Sequence, residues 1–369
     1  YLLSNNKIKK FNNRILRKNI SIIEETKPLG NAGCLKNLIN FKSIKDDILI
    51  ISGDLVFNID IKKFYYFHKK NKSDVSFLVH PNDHIVDSDV IELNKINQLV
   101  KFHKKPHRKK NIGNLCLSGI MIIKKKILKF IKKDKFQDFS KDILPKLIRE
   151  EIKIYGYNTR EYVKDAGTPD RINKIKKDLE NIKYIKGSFK TKIPAIFLDR
   201  DGVLNKEYQN KHYQNPLKVI DGTFEAIKKI NEKGFLSVIV TNQSAVAKGI
   251  VTIDKVEKDH KKLEYLFSQN GCYFDRIYYC PYYPLAGFKG EVKKFKKKSN
   301  MRKPNNGMFL KAIKDLNIDI KKSYMIGDRI TDYLAAKKTG IKFLIVGNKF
   351  SIKKKKNFIN LKQAINSIL

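Results

Sequence analysis

Ile196-Phe197-Leu198-Asp199-Arg200-Asp201-Gly202-Val203-Leu204 is an apolar run that stops abruptly at two acids spaced two apart and then turns at a glycine. Such a run predicts a buried strand ending in a sharp turn, with Gly202 permitting the bend. Side chains alternate along a strand, so the spacing puts both carboxylates on one side, although the turn can rotate the second. Paired acids of this kind suit a hard divalent cation, and they divide into a nucleophile and a general acid/base. The plain alternative is a strand followed by an ordinary Asp-Gly turn, which any α/β protein can contain.

The sequence around this stretch favours the chemical reading. Strands expected over 195–198, 236–240, 276–280, 324–326 and 343–346 alternate with helices over 223–232, 252–268, 307–316 and 331–338, the pattern of an open, largely parallel α/β sheet. Ligands bind at the carboxyl ends of the strands in such sheets. One end carries Thr241-Asn242-Gln243-Ser244, a hydroxyl and amides placed to hydrogen-bond phosphate oxygens. Arg302-Lys303-Pro304, with Gly307 before a helix, supplies cations for the charge of a phosphoryl group in transit. Ile326-Gly327-Asp328-Arg329, with Asp332 following, repeats strand, glycine, acid, and adds metal ligands or groups that fix the lysine. The order is acid, hydroxyl, cation, acid.

A chain of 369 residues exceeds what one core usually supports, so two domains are expected. The boundary falls near residue 190, giving 1–188 and 189–369. In the first half, 47–52 ending at Gly53-Asp54, 75–80 and 117–123 read as strands, and 61–71 and 168–185 as helices. A largely parallel sheet is expected there too. No apolar run approaches the roughly 20 residues that cross a bilayer, and the opening at Tyr1 lacks the apolar stretch of a signal peptide. Beginning with Tyr rather than Met points to a trimmed or incomplete gene product.

The formal charge is +41, nearly all from lysine spread along the chain, without an arginine cluster. That distribution belongs to a lysine-biased proteome rather than to a basic stripe, so no specific nucleic-acid or membrane partner is expected. The runs 104–110 and 353–356 read as solvated loops. Cys34, Cys116, Cys272 and Cys280 lie far apart without C-x-x-C spacing, as reduced thiols in a cytoplasmic protein do. Pro106 breaks any helical pairing of His103 with His107, and neither is assigned a role.

The ordered set at the strand ends resembles the four motifs of the haloacid dehalogenase superfamily and covers nearly all of the second domain. The resemblance implies a Rossmannoid parallel sheet with Asp199 as nucleophile, forming an aspartyl phosphate, and Asp201 as the acid that protonates the leaving oxygen and then activates water. It implies that Thr241 and Lys303 hold the phosphate, with Gly202, Asn242, Gln243 and Arg302 in the phosphate and substrate site. Mg²⁺ would be bound by Asp199, Asp328 and the backbone carbonyl of Asp201, with Asp332 supporting. Asp-Arg-Asp-Gly-Val-Leu-Asn, Thr-Asn-Gln-Ser, Cys280-Pro281-Tyr282-Tyr283-Pro284, Arg302-Lys303-Pro304 and Gly327-Asp328-Arg329 together look like the heptose bisphosphate phosphatases, with histidinol phosphate phosphatases as close relatives. The gaps between motifs are too short for a large cap domain. Many members carry a zinc held by Cys and His around this region. Here Tyr282, Tyr283, Ser299 and Met301 replace those ligands, so no zinc is expected. The lysine-rich loop 285–300 is then expected to be mobile, and Cys280 an inert thiol.

In the first half, Thr26-Lys27-Pro28-Leu29-Gly30-Asn31-Ala32-Gly33, Ser52-Gly53-Asp54 and Asp165-Ala166-Gly167-Thr168-Pro169 resemble sugar-phosphate nucleotidyltransferases. That likeness implies a Rossmann-like sheet in which Leu29, Gly30 and Gly33 meet the base and Asp54 and Asp165 hold Mg²⁺. The family's glycine-rich opening does not precede Tyr1, and Lys104 stands where the family has a sugar-binding Glu. Nucleotidyl transfer is therefore not expected from this stretch. The expected function is hydrolysis of D,D-heptose 1,7-bisphosphate, the α-anomer if the first half is of the guanylyl type, in making nucleotide-activated heptose. The alternatives are a bifunctional enzyme that is also a sugar-1-phosphate guanylyltransferase, a histidinol-phosphate phosphatase, and a non-catalytic basic binding protein. Oligomeric state is left open.

Overall fold

The computed structural model describes residues 23–40, 44, 46–107, 111–180, 187–207, 217–353 and 356–369. The chain forms two compact units: residues up to Ile48 with Ile123–Ile152, and Leu49–Ile122 with Lys153–Leu369.

The first unit is helical. A turn of helix at Gly30–Gly33 runs into a 3-10 helix at Cys34–Asn40. Both glycines are required by packing against the segment 135–137. A Cβ on Gly30 would lie 2.5 Å from the Gln137 carbonyl oxygen, and one on Gly33 would lie 2.4 Å from that of Lys135. The Gln137 carbonyl also accepts from the N–H groups of Ala32 (2.9 Å) and Gly33 (3.3 Å).

The second unit contains two larger sheets. The first has strands β1 (Asp47–Ile51), β3 (Val75–Pro81), β4 (Val90–Leu93), β5 (Leu99–His103), β6 (Leu115–Lys124) and β7 (Ile154–Asn158), in the order β5-β4-β6-β3-β7 with β1 beside β6. The antiparallel pair β2 (Leu55–Asn58) and β8 (Tyr162–Asp165) lies apart from that order. Helix α1 (Ile61–Lys70) starts where Asp60 accepts from the Lys63 N–H and buries Phe64 among Leu78, Ile120 and Ile122. The expectation of a largely parallel sheet is corrected here. β3 and β7 are parallel, but β4 is antiparallel to both β5 and β6. The cause is local: the Asn94 side chain accepts from the N–H groups of Ile96 and Gln98, closing a turn too short for a parallel crossover. The helix expected over 168–185 is α2 (Pro169–Glu180), and 181–186 lie outside the described residues.

The second sheet is parallel throughout: β9 (Ala195–Leu198), β10 (Leu236–Asn242), β11 (Arg276–Cys280), β12 (Tyr324–Gly327), β13 (Lys342–Val346) and β14 (Asn357–Phe358), in the order β11-β10-β9-β12-β13-β14. A parallel sheet is covered on both faces, so its strands are apolar at successive positions. Phe197, Val238, Val240, Met325 and Phe343 face α5 (Gly307–Leu316) through Phe309. Ile196, Leu198, Ile239 and Ile326 pack on the other side with Ile227 of α3 (Thr223–Glu232) and Phe267 of α4 (Ile253–Gln269). A 3-10 turn at Lys293–Phe295 lies between α4 and α5. Helices α6 (Ile330–Thr339) and α7 (Leu361–Asn366) complete the unit. The connection after β9 carries only the isolated bridges Asp201–Asn205 and Asn205–Val219 among its described residues. Among the described residues no helix is long and apolar enough to cross a membrane.

Candidate active site

Central β9 ends at Asp199, and its neighbours β10 and β12 end at Thr241-Asn242 and Gly327-Asp328, so three motifs converge because three adjacent parallel strands stop at one edge. Oxygens of Asp199, Asp328 and Asp332 lie within 4.8 Å of one another, and all three residues are buried. Lys303 joins them. Its Nζ is 3.0 Å from Asp199 Oδ1 and 2.6 Å from Asp332 Oδ1, and it donates to the Val240 carbonyl at 2.8 Å. Burial alone would push the Lys303 pKa down, but Asp199 and Asp332 outweigh it and raise the value, so the side chain stays cationic.

Asp199 Oδ1 also accepts from the Arg200 N–H at 2.8 Å. Oδ1 is thus the anchored oxygen, and among the described residues Oδ2 has no donor. Asp332 is fixed by accepting from the Arg329 N–H at 3.2 Å, and Gly327 makes room for it: a Cβ there would lie 2.5 Å from the Asp332 carboxylate. Gly202, at φ +88°, does the same for Asp328, whose Oδ2 would lie 2.2 Å from an added Cβ. Burial raises the pKa of both Asp328 and Asp332, and the nearby Asp199 charge adds to this.

Asp201 is not in that cluster. Its carboxylate accepts from Arg200 Nε (3.1 Å) and Nη2 (2.9 Å), Asn205 Nδ2 (2.9 Å) and Gln243 Nε2 (2.9 Å). Burial pushes its pKa up, but the Arg200 charge and these hydrogen bonds prevail and hold the carboxyl below the ordinary range. Gln243 Nε2 also donates to Thr241 Oγ1 at 3.0 Å, which leaves the threonine hydroxyl proton for another acceptor.

The sequence placed Asn242 among phosphate-binding groups, but its amide is committed to the backbone of Lys303, donating to the carbonyl and accepting from the N–H, both at 3.0 Å. It positions the lysine. Arg302 makes no contact with the acid cluster. It donates to the Tyr282 carbonyl at 3.3 Å and lies over the Tyr283 ring.

Four participants were not anticipated. Arg200 Nη1 donates to Nε2 of the buried His260 at 3.2 Å, and burial together with the Arg200 charge lowers the His260 pKa to about 3, so the imidazole is neutral. Lys349 contacts both Asp328 and Glu207. Arg200 sits between two motif acids and was the one visible signal; the others are remote in sequence.

Among the described residues, the His, Cys, Asp and Glu side chains grouped closely enough to share a metal are Asp199, Asp328 and Asp332. The loop 285–300 is not left without a clamp. Tyr283 N–H donates to the Phe295 carbonyl (3.1 Å), Val292 N–H to the Ala247 carbonyl (3.0 Å), and Tyr282 packs on Phe295.

In the first half, the structure brings Asp54 and Asp165 to either side of Gly167, whose added Cβ would lie 3.7 Å and 2.9 Å from their carboxylates. Asp165 is half-exposed and paired with Arg171 at 2.6 Å. Leu29 is buried, and the N–H groups near Gly30 and Gly33 are engaged by Gln137. His103 binds Glu92 at 2.6 Å and His107 the Ser88 carbonyl at 2.8 Å, structural roles that the sequence did not show.

A parallel sheet with acid, hydroxyl and acid at adjoining strand ends, joined by a lysine from the segment before a helix, defines a haloacid dehalogenase-like hydrolase, and the family model of that description matches residues 300–356. The nucleotidyl transferase family model matches residues 3–182. The chain is 42% identical over 149 residues to D-glycero-beta-D-manno-heptose-1,7-bisphosphate 7-phosphatase of Haemophilus ducreyi, covering 40% of this chain and 79% of that protein. To the protein of the same name from Vibrio cholerae it is 39% identical over 148 residues, 40% of this chain and 77% of the relative. The chain belongs to this phosphatase family. The D,D-heptose 1,7-bisphosphate phosphatase of B. bronchiseptica, solved with magnesium and phosphate, is 24% identical with a TM-score of 0.41, covering 47% of this chain and 97% of that one.

Proposed function

We propose that residues 189–369 form a Mg²⁺-dependent phosphatase domain that hydrolyses a heptose 1,7-bisphosphate, preceded by a nucleotidyltransferase-like domain at 1–188. The carrying observation is the anchoring of Asp199 Oδ1 by Lys303 and the Arg200 N–H, which leaves Oδ2 as the nucleophile. Asp199 Oδ2 bonds to phosphorus as the bond to the sugar oxygen breaks, and Asp201, in the protonated form that its cradle makes the minor one, supplies the proton to that oxygen. Asp201, then a carboxylate, takes a proton from the water that attacks the aspartyl phosphate, releasing phosphate and restoring Asp199. The cradle of Arg200, Asn205 and Gln243 favours the carboxylate form that this second step needs. Lys303 and the Thr241 hydroxyl meet the phosphoryl oxygens.

Magnesium fits the acid cluster because three buried carboxylates share it with one buried lysine, and Asp328 Oδ1 is buried without a hydrogen-bond partner. Asp199, Asp328 and the Asp201 backbone carbonyl would hold it, where its charge would offset repulsion between the carboxylates and the substrate phosphate. The names of the relatives support the heptose substrate. The test is phosphate release, with Mg²⁺, from both anomers of heptose 1,7-bisphosphate and from histidinol phosphate, by this chain and by Asp199→Asn. Release from a heptose bisphosphate that is lost in the variant is expected; release from histidinol phosphate alone would overturn the sugar assignment.

The match over residues 3–182 favours a second reading, in which the first half also transfers a guanylyl group. Release of pyrophosphate from GTP and a heptose 1-phosphate would support it. The Arg171 pairing of Asp165 argues against a metal there.

A further inference from the structure

One lysine is shared by two carboxylates in unlike surroundings. Lys349 Nζ contacts Asp328 Oδ2 and lies 2.6 Å from Glu207 Oε2. The lysine side chain is 43% exposed and that of Glu207 37%, whereas that of Asp328 is only 2% exposed. Glu207 pairs with Arg329 through its other oxygen. Asp328 is therefore paired with Lys349 through Oδ2, while its Oδ1 is buried without a hydrogen-bond partner among the described residues and has Arg329 Nε at 4.0 Å.

The lysine stands against two of the groups assigned to the metal. An added Cβ on Gly202 would lie 2.2 Å from Asp328 Oδ2 and 3.1 Å from Lys349 Nζ, so the ammonium sits close to the residue that follows the Asp201 carbonyl. A divalent ion and an ammonium in contact with one carboxylate oxygen repel each other strongly where water is scarce. The backbone on either side of the lysine is fixed, because Asn357 Nδ2 donates to the carbonyls of Gly347 (3.0 Å) and Phe350 (2.9 Å). Movement is left to the four-carbon side chain, and Glu207 offers its ammonium a second partner.

We propose that Lys349 is a built-in competitor of the metal: it holds Asp328 until Mg²⁺ binds, then gives that carboxylate up and keeps Glu207. This rests on the reading of the acid cluster as the Mg²⁺ site. The contact spares the fold a buried, unpaired carboxylate before the ion arrives. It also sets a threshold, because the apparent Kd weakens in proportion as the fraction of chains with Asp328 available falls. One charge-assisted hydrogen bond corresponds to a fraction of about one in ten, and so to a Kd about tenfold weaker.

The test is calorimetric titration of the full chain with MgCl2, together with thermal midpoints with and without the ion, for the parent, Lys349→Met, Lys349→Arg, Glu207→Gln and the double variant. In Lys349→Met the midpoint without Mg²⁺ should fall while the Kd tightens about tenfold, so the rise on adding the ion grows. Lys349→Arg, which keeps the charge, should stay near the parent. Glu207→Gln should weaken Mg²⁺ binding, and that weakening should shrink in the Lys349→Met background, because the two residues act through one contact. Midpoints of Lys349→Met lowered equally with and without Mg²⁺, at an unchanged Kd, would make the lysine a plain structural partner and overturn the competition. A Glu207→Gln effect of equal size in both backgrounds would overturn the exchange of partners. A parent chain that binds no Mg²⁺ would overturn the metal site itself, and the competition with it.

Discussion

Two pairs of strand-end acids beside glycines invite the same reading, yet their surroundings make them chemically different. Asp199, Asp328 and Asp332 are buried together; Lys303 pairs with Asp199 and Asp332, and the half-exposed Lys349 with Asp328, so three carboxylates share one buried cation where water screens poorly. Asp54 and Asp165 flank Gly167, but Asp165 is 44% exposed at its side chain and already faces Arg171. The first arrangement concentrates its acids away from solvent, where an external cation would offset their repulsion; the second is screened by solvent and faces an arginine. Acid spacing alone does not distinguish the two, whereas burial does.

The largest effect that could break this contrast is on chemistry. Asp199→Asn removes the nucleophilic oxygen and should reduce phosphate release by about 10⁴-fold or more; substantial residual turnover would mean that Asp199 is not the nucleophile. Metal binding gives the next largest effect. At a hundredfold excess over Kd, Mg²⁺ should stabilise the chain by about 2.7 kcal/mol, read as a rise in thermal midpoint. Asp328→Asn should abolish that rise and Asp165→Asn should leave it in place. The opposite pattern would transfer the metal site to the first half.

Glycine substitutions sharpen the comparison at a smaller scale. Gly202→Ala places a Cβ 2.2 Å from Asp328 Oδ2 at a φ of +88°. The side chain with least room to yield is the one proposed to hold Mg²⁺, so the variant should lose Mg²⁺-dependent stabilisation in addition to about 1–3 kcal/mol of stability. Gly30→Ala, at φ +74° and 2.5 Å from the Gln137 carbonyl, should cost a similar amount with the Mg²⁺ response retained. Chemical denaturation with and without Mg²⁺ separates the two.

The three strand-end motifs and the Arg302-Lys303 segment were legible because each is contiguous, with its functional side chains within a few residues. What was hidden depended on long-range meetings. Asn242 looks like a phosphate ligand in a Thr-Asn-Gln run, and only the return of the 302–304 segment shows its amide clamping Lys303. Glu207 and Lys349 share no local pattern with Asp328, yet Lys349 bridges the two. In the first half, β4 and β5 were missed because short half-buried strands carry little periodicity, and with them went the mixed character of the sheet.

The smallest predicted effect concerns His260, which supports Asp201 only through Arg200. Its folded pKa is about 3 against an ordinary 6.5, because it is buried and faces the Arg200 charge. Between those values the unfolded chain binds this proton and the folded chain does not. Stability therefore rises with pH across the window and is lost as the pH falls from 6.5 toward 3. At pH 5 this single group should account for a loss on the order of 2 kcal/mol relative to neutral pH. His260→Gln keeps an acceptor for Arg200 and removes the titration, so denaturation midpoints should fall less steeply with acidification. Some slope should remain, because desolvation lowers the pKa of the partly buried His80 to about 4. If parent and variant have the same slope, His260 is not held neutral by burial beside Arg200, and the cradle that keeps Asp201 a carboxylate is looser than its distances imply.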